Sequence, residues 1–197
     1  MVLTDAGVPV VPHHLVRFPS SGDRRGVADG ALGLVAPPLV VKPTTEAGGL
    51  DVCKAESTDE ARDIIERLAG RYAALAIAPF EMILDEYRVV VLDDVPRLFY
   101  EKKLVNQAEW RHNLKHGALP LLVDSPETTD DLAEIAIRAM RVIGGRFMSV
   151  DIIRTPSELK ILEINSGVML DRFAAQSPGY RTKAVQIYRD AITSCFS

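Results

Sequence analysis

The chain has 197 residues, of which 47% are hydrophobic and 25% charged, and its formal net charge is −4. These values are typical of a globular protein with a substantial core, and the negative charge argues against a nucleic-acid surface. Cys53 and Cys195 lie far apart and form no CxxC pair, which excludes a zinc or disulfide framework and fits a cytoplasmic location. No apolar run reaches the roughly 20 residues of a membrane span, so we expect no membrane association.

The first part of the chain predicts a strand that leads into a loop of small residues. Residues 1–16 read as the end of a helix followed by a short extended stretch, and residues 19–37 as a loop with at most one short helix at 29–34. A buried strand over 39–43 contains Lys42, and Gly48 and Gly49 follow in the loop. Such a loop can bring backbone N–H groups and a lysine to a phosphate. The alternative is a flexible hairpin, and the sequence is not a Walker A motif.

The rest of the chain predicts further helices and strands joined by loops. Ser57 to Glu60 is a capping box ahead of an amphipathic helix that ends at Gly70. Polar residues 106–120 are expected to form a loop. The remaining predicted elements are strands at 51–55, 73–78, 87–92 and 95–103, and helices at 128–144 and about 180–195.

Residues 147–165 form the most informative stretch, because two β-branched, apolar runs flank Thr155-Pro156-Ser157. We expect an antiparallel hairpin with those three residues as its loop. That register sets Asp151 opposite Ile161 and Ser149 opposite Glu163. Alternation then gathers three oxygen-bearing side chains on one face and four apolar ones on the other. The first set is Asp151, Glu163 and Asn165, and the second is Val150, Ile152, Leu162 and Ile164.

Two readings of this acidic face remain open from the residues alone. A few hard oxygen ligands that leave coordination positions open suit an Mg²⁺ ion that also binds phosphates. The alternative is a solvated strand face with two ordinary acids. A hairpin loop one residue longer or shorter would move one strand's side chains to the other face and separate the acids.

The order of these motifs resembles the ATP-grasp superfamily of carboxylate–amine ligases, and within it the RimK and glutathione-synthetase-like branch. The resemblance rests on the strand with Lys42, on Trp-Arg-His-Asn-Leu at 110–114, on Asp151, and on Leu-Glu-Ile-Asn-Ser-Gly at 162–167. It implies an α+β ATP-grasp fold of two lobes with mainly antiparallel sheets and the nucleotide between them. The implied boundaries are a linker at 1–17, a first lobe at 18–90 and a second at 91–197.

The resemblance also implies roles for individual residues. Lys42 and the glycine loop with Gly48 and Gly49 would hold phosphates of ATP, and Arg111 and Asn113 would contact the γ-phosphate side. The adenine and ribose would meet Ala78, Phe80, Glu81, Glu86 and Leu162.

The resemblance implies the metal ligands, and the chemistry of the expected reaction suggests the catalytic candidates. Asp151, Glu163 and Asn165 would hold one or two Mg²⁺ ions, for which Mn²⁺ could substitute, and Glu163 would bridge two ions. Ser166, Gly167 and Arg111 are the candidates for stabilising a tetrahedral intermediate. Arg88 would either clamp a substrate carboxylate or form an exposed ion pair. One of Lys102 and Lys103 at most can face the nucleotide, because the two alternate on their strand.

The expected activity is ATP- and Mg²⁺-dependent amide formation between a small-molecule or peptide carboxylate and an amine, through an acyl phosphate. We expect two departures from the family: the chain would lack the N-terminal domain of about 100 residues that members carry, and Pro79 stands in the expected hinge, where it cannot donate a hydrogen bond. Two alternatives follow, namely a non-catalytic nucleotide-binding module and a ligase that modifies a peptide or protein end. We expect either a homodimer or a partner chain that replaces the absent domain.

Overall fold

The computed structural model describes residues 2–19, 23–46, 48–106 and 108–196. Its elements in chain order are α1 (Val2–Asp5), β1 (His14–Arg17), α2 (Arg24–Leu32), β2 (Leu39–Pro43), β3 (Cys53–Ala55), α3 (Thr58–Ala69), β4 (Ala74–Pro79), β5 (Asp85–Leu92), β6 (Val95–Lys103), β7 (Leu119–Leu122), α4 (Pro126–Ile143), β8 (Phe147–Arg154), β9 (Leu159–Asn165), α5 (Asp171–Ala174) and α6 (Pro178–Thr193). The two sheets and the flanking helices make the fold α+β, as the sequence predicted.

The chain divides into two compact units, and the boundaries differ from those expected. The first unit is Val11–Met82, and the second contains the described residues up to Val10 together with those from Ile83 onward. The predicted linker at 1–17 extends too far, because its last four residues form β1, which pairs with β4 inside the first unit. The predicted boundary at residue 90 is too late because β5 pairs along its whole length with β8.

The first unit is a four-stranded antiparallel sheet in the order β1-β4-β2-β3, with α2 and α3 on one face. The amphipathic pattern of α3 buries Ile65 and Leu68 completely. Ser57 caps this helix by accepting a hydrogen bond from the Glu60 N–H at 3.2 Å, as its capping sequence predicted. The opposite face of the sheet carries Lys42 and Lys54 together with Ala76 and Ala78 of β4.

The second unit is a five-stranded antiparallel sheet in the order β7-β6-β5-β8-β9. Helix α4 packs on one face, where its inward stripe meets side chains of β5, β8 and β9. Helices α5 and α6 pack on part of the other face, around Leu98, Tyr100 and Phe173. Within the described residues, no helix has the length and apolar character to cross a membrane.

Two elements differ from the sequence prediction. Helix α2 begins five residues before the predicted short helix, since Asp23 caps it by accepting a hydrogen bond from the Gly26 N–H at 2.8 Å. The predicted loop over 106–120 runs into a strand, because Leu119–Leu122 pairs with β6 at the sheet edge. Pro120 is tolerated there since an edge strand needs only one side of its backbone to donate.

Candidate active site

The β8–β9 hairpin brings the predicted acids together by a different register from the one expected. Arg154 pairs with Leu159, so the loop contains four residues rather than three. A bulge beside Asp151 and Ile152 offsets the extra residue, and Asp151 therefore lies directly opposite Glu163 rather than opposite Ile161. Ser149 lies opposite Asn165. The predicted clustering on one face is thus present, although the predicted register is wrong.

The bulge also changes which apolar residues of β9 face the core. Ile161 and Ile164 both pack with the α4 side of the sheet, whereas Leu162 at the bulge is half-buried outside the core clusters. The expectation that Leu162 faces the core with Val150 is therefore wrong. A half-exposed Leu162 remains compatible with its expected contact with adenine, which stays a prediction.

A row of side chains crosses four strands of the second sheet at the level of Asp151. In that row Tyr100 pairs with Arg88, Arg88 with Asp151, and Asp151 with Glu163. Directly opposed residues on one face have Cβ atoms about 4.5–5.5 Å apart. Glu163 is exposed at the end of this row. Asn165 lies two residues further along β9 and is half-buried.

Four of the charged side chains around this row form a buried network with no net charge. Arg88 donates to both carboxylate oxygens of Asp151, at 2.6 Å from Nε and 2.7 Å from Nη2. Lys102 Nζ lies 2.8 Å from Asp151 Oδ2 and 2.5 Å from Glu86 Oε1. Glu86, Lys102 and Asp151 are 5%, 3% and 4% exposed. Breaking such a network by removing one member leaves an uncompensated buried charge.

The network fixes the charge states of its members. Burial alone would raise the pKa of Asp151, but Lys102 and Arg88 outweigh it and lower that pKa to about 2. Burial would likewise lower the pKa of Lys102, yet Asp151 and Glu86 raise it above its ordinary value. Asp151 is therefore a carboxylate and Lys102 an ammonium near neutral pH.

The position of Lys102 answers which of the two neighbouring lysines lies on this face. Lys102 is buried in the network, whereas Lys103 points to the opposite face and pairs with Glu101 at 3.0 Å. Glu86, expected to meet the ribose, is buried against Lys102. Arg88 forms an ion pair, which was one of the two roles expected for it. The pair is largely buried rather than exposed, because the Arg88 side chain is 19% exposed.

The donor set on this face fits a hard divalent ion. Asp151 is ionised, Glu163 stands opposite it, and Asn165 adds an amide oxygen on the same face. These are oxygen ligands, few enough to leave positions for phosphate or water. The described residues contain no group of three or more His, Cys, Asp or Glu side chains able to hold a metal ion. An ion here would therefore rely on two carboxylates, one amide and its substrate.

The Trp110–Asn113 segment precedes a short 3₁₀ turn at Leu114–His116. Arg111 donates to both oxygens of Glu109, with each distance 2.8 Å, and this bidentate pair lowers the pKa of Glu109 to about 2. The neighbouring His112 is buried, with Nδ1 3.1 Å from the Lys102 carbonyl oxygen. This contact ties the segment to the network, while the phosphate contacts expected of Arg111 and Asn113 stay predictions.

In the first unit, Lys42 lies on the sheet face that α2 and α3 leave uncovered. It pairs with Ala76, and two residues back Val40 pairs with both Ala78 and Lys54. Alternation therefore places Lys42, Lys54 and two alanines on one face. Phe80 follows β4, donates its N–H to the Pro38 carbonyl at 2.9 Å, and has the Lys54 ammonium 3.8 Å from its ring centroid. Half-buried Glu81 comes next in the chain.

The glycine loop is anchored at its far end. Gly48 and Gly49 have φ of 68° and 78°, a conformation that other residues adopt at a cost. Asp51 then accepts a hydrogen bond from the Tyr72 hydroxyl at 2.5 Å and pairs with Arg71 at 3.0 Å. Ala47 lies outside the described residues. The loop's expected contact with phosphates stays a prediction.

Sequence reasoning did not establish several contacts on the site face of the second unit, which is the sheet face that carries Arg88, Lys102, Asp151 and Glu163. Lys102 was one of two undecided lysines, and the pairing of Arg88 with Asp151 was not foreseen because it depends on which strands are neighbours. Tyr100 and Ser149 are both buried on this face, and the Ser149 hydroxyl has no hydrogen-bond partner among the described residues. Strand alternation is the signal that could have found both, because Tyr100 lies two residues from Lys102 on β6 and Ser149 lies two residues from Asp151 on β8. Ser166 and Gly167 are exposed just beyond β9.

A family model described as the RimK-like ATP-grasp domain matches residues 29–181. A probable alpha-L-glutamate ligase of Xanthomonas oryzae pv. oryzae is 30% identical over 132 residues, which is 66% of this chain and 43% of that protein. A protein of the same name from Psychromonas ingrahamii is 29% identical over 136 residues, 68% of this chain and 44% of that protein. The chain spans less than half the length of these curated relatives.

Solved structures with the same fold include D-cycloserine synthetase DcsG, with a TM-score of 0.69 and 20% identity over 96% of this chain and 68% of that one. D-alanine–D-alanine ligase from Bacillus anthracis has a TM-score of 0.68 and 14% identity over 98% of this chain and 65% of that one. At these identities the likeness concerns the fold. Because the family model covers most of the sequence, the chain belongs to the RimK-like ATP-grasp family.

Proposed function

We propose that this chain carries the ATP- and Mg²⁺-binding site of a ligase that joins a carboxylate to an amine through an acyl phosphate. The observation that carries the proposal is the direct opposition of Asp151 and Glu163, with Asn165 on the same face. These are ionised or neutral oxygen donors of the type that Mg²⁺ uses when it also binds phosphate. A non-catalytic module that only bound nucleotide would not need all three of these metal-binding side chains.

The first chemical step brings two anions together, and the residues of the site face would reduce that repulsion. A carboxylate oxygen attacks the γ-phosphorus, the bond to the β-phosphate oxygen breaks, and ADP leaves. Bound Mg²⁺ would neutralise phosphate charge at Asp151, Glu163 and Asn165. Arg111 and Asn113 would hold the γ-phosphate, and Lys42 the other phosphates. Their positively charged or N–H donor groups match phosphate oxygens.

In the second step, the amine attacks the acyl carbon and phosphate leaves with one oxygen of the original carboxylate. The amine loses a proton as the amide forms. Ser166 and Gly167 follow the metal ligands directly, and we propose their backbone N–H groups for the tetrahedral intermediate. A glycine loop that closes over the nucleotide would keep water from the acyl phosphate. Gly48 and Gly49 give the loop the backbone freedom for this.

Arg88 and Lys102 have a further role in this proposal. Both neutralise Asp151 in the structure, so metal binding at Asp151 would make their charges available to substrate oxygens. We propose that Arg88, the more exposed of the two, then contacts the carboxylate or its phosphate. Glu86 would retain Lys102 in place. The ribose contact proposed for Glu86 would use Oε2, because Oε1 accepts a hydrogen bond from Lys102.

The substrate proposal rests on the names of the relatives. Two relatives are named as probable alpha-L-glutamate ligases, and a solved structure with a TM-score of 0.58 is that of the ATP-grasp ligase PsnB with a precursor peptide and AMPPNP. We therefore propose an amino acid such as glutamate as one substrate and an amino acid or peptide as the other.

ADP release tests this proposal. The protein is mixed with ATP, Mg²⁺ and pooled amino acids, with and without short peptides. We expect ADP release that depends on both a carboxylate and an amine. ATP binding without substrate-dependent ADP release would instead favour a nucleotide-binding module, and release only with peptides would identify a peptide-modifying ligase.

A further inference from the structure

Ser149 is a buried polar residue on the site face that the proposed chemistry does not use. Its side chain is 1% exposed, and its hydroxyl oxygen has no hydrogen-bond partner among the residues that the structure describes. Buried hydroxyl groups are nearly always hydrogen-bonded, so one without a partner calls for an explanation. An interaction made only when ligand is bound is one such explanation.

The neighbours of Ser149 on this face narrow the choice of partner. On one side it pairs with Val90, which offers no polar side-chain atom. Two residues along β8, both oxygens of Asp151 already accept hydrogen bonds from Arg88. On the other side Ser149 lies directly opposite Asn165. Among these three neighbours, Asn165 has the amide group that can donate to a hydroxyl oxygen.

An asparagine that binds a metal ion must present its carbonyl oxygen and turn its NH₂ group away. The two ends of the amide are similar in size, so a hydrogen bond to the NH₂ group decides which end faces the ion. Residues that orient a ligand in this way change metal affinity by about 10- to 100-fold when they are removed. A serine hydroxyl across the strand pair is within the reach of such a contact.

We propose that Ser149 is a positioning residue for the metal site: its hydroxyl accepts a hydrogen bond from the Asn165 NH₂ group and thereby turns the Asn165 oxygen toward the ion. This inference rests on the proposed metal role of Asp151, Glu163 and Asn165. It assigns no contact between Ser149 and the ion itself. Removal of the hydroxyl leaves the ligands in place but lets the Asn165 amide rotate.

The test measures the dissociation constant of AMPPNP with and without saturating Mn²⁺, by calorimetry. The metal-free dissociation constant divided by the constant with Mn²⁺ gives a ratio that reports the metal site. The metal-free constant alone serves as an internal control. For Ser149→Ala we expect the ratio to fall about tenfold with the metal-free constant unchanged. Ser149→Thr keeps the hydroxyl and should recover most of the ratio. Melting temperatures verify that each variant is folded.

A second background separates positioning from a general structural effect. Asn165→Asp supplies a carboxylate, whose two oxygens are equivalent and need no orienting N–H bond. Ser149→Ala should therefore change the Mn²⁺ ratio less than about twofold in the Asn165→Asp protein, a non-additivity that a double-mutant cycle measures.

The outcomes distinguish this inference from the proposed function. If the wild-type protein shows no Mn²⁺ enhancement of AMPPNP binding, the metal site itself is wrong. If the wild-type protein shows the enhancement and Ser149→Ala retains it, or loses it equally in both backgrounds, the positioning role of Ser149 is overturned.

Discussion

Asp151 lies directly opposite Glu163 because a β-bulge beside Asp151 offsets a hairpin loop that is one residue longer than its sequence suggests. Without the bulge, the longer loop would send one of the two acids to the α4 side of the sheet. Bulges occur often next to active sites, where they change the direction of a side chain. The local irregularity of β9 therefore determines whether the candidate metal site exists.

The bulge predicts different roles for two adjacent apolar residues. Ile161 is 3% exposed in the core on the α4 side, and Leu162 is half-exposed outside it. Ile161→Ala should lower the free energy of unfolding by about 2–5 kcal/mol, as for other buried Ile truncations. Leu162→Ala should cost less than about 1 kcal/mol and weaken AMPPNP binding if Leu162 packs on adenine. Urea unfolding and calorimetry check the pair, and the reverse order of stabilities would place the bulge elsewhere.

Lys102 and Lys103 offer a matched comparison for the buried network. Lys102→Met leaves Glu86 and Asp151 buried without this cation, so we expect a loss of about 3–5 kcal/mol in the free energy of unfolding. Lys103→Met removes an exposed cation that pairs with Glu101, and its effect should stay within about 0.5 kcal/mol. Equal stabilities of the two variants in urea unfolding would show that the network does not form.

The network also predicts a specific acid sensitivity. Because Lys102 and Arg88 lower the pKa of Asp151 to about 2, its ionised form stabilises the fold above its unfolded pKa of about 3.9. That contribution is lost as the pH falls through the folded pKa, since the unfolded state takes up the proton first. The stability difference between the wild-type protein and Asp151→Asn should therefore narrow from pH 4 toward pH 2. A constant difference across that range in thermal unfolding would contradict the assignment.

The sequence predicted the elements with strong local patterns and the identity of the acidic face. The helix over α3 was confirmed because its capping box and apolar stripe are encoded within one segment. Helix α4 followed in the same way and ends at Gly144, whose φ of 73° is the left-handed conformation of a helix end. Periodicity within a single segment was sufficient for both.

The features that depend on distant segments were not predictable in this way. The Arg88–Asp151 pair joins residues 63 positions apart, and the choice between Lys102 and Lys103 depends on the pairing of β5 with β6. The hairpin register failed because a bulge has no clear signature in a run of alternating residues. Strand β7 was missed because four residues with a central proline carry a weak strand signal.

The most direct test of the proposed reaction follows a carboxylate oxygen labelled with ¹⁸O. In an acyl-phosphate route, one carboxylate oxygen leaves with the phosphate, so the released phosphate should carry one ¹⁸O when pooled labelled amino acids or peptides support ADP release. Glu163→Gln, which alters an exposed side chain, should remain folded and release neither ADP nor labelled phosphate. ADP release by the wild-type protein with phosphate that contains no ¹⁸O would contradict the ligase mechanism.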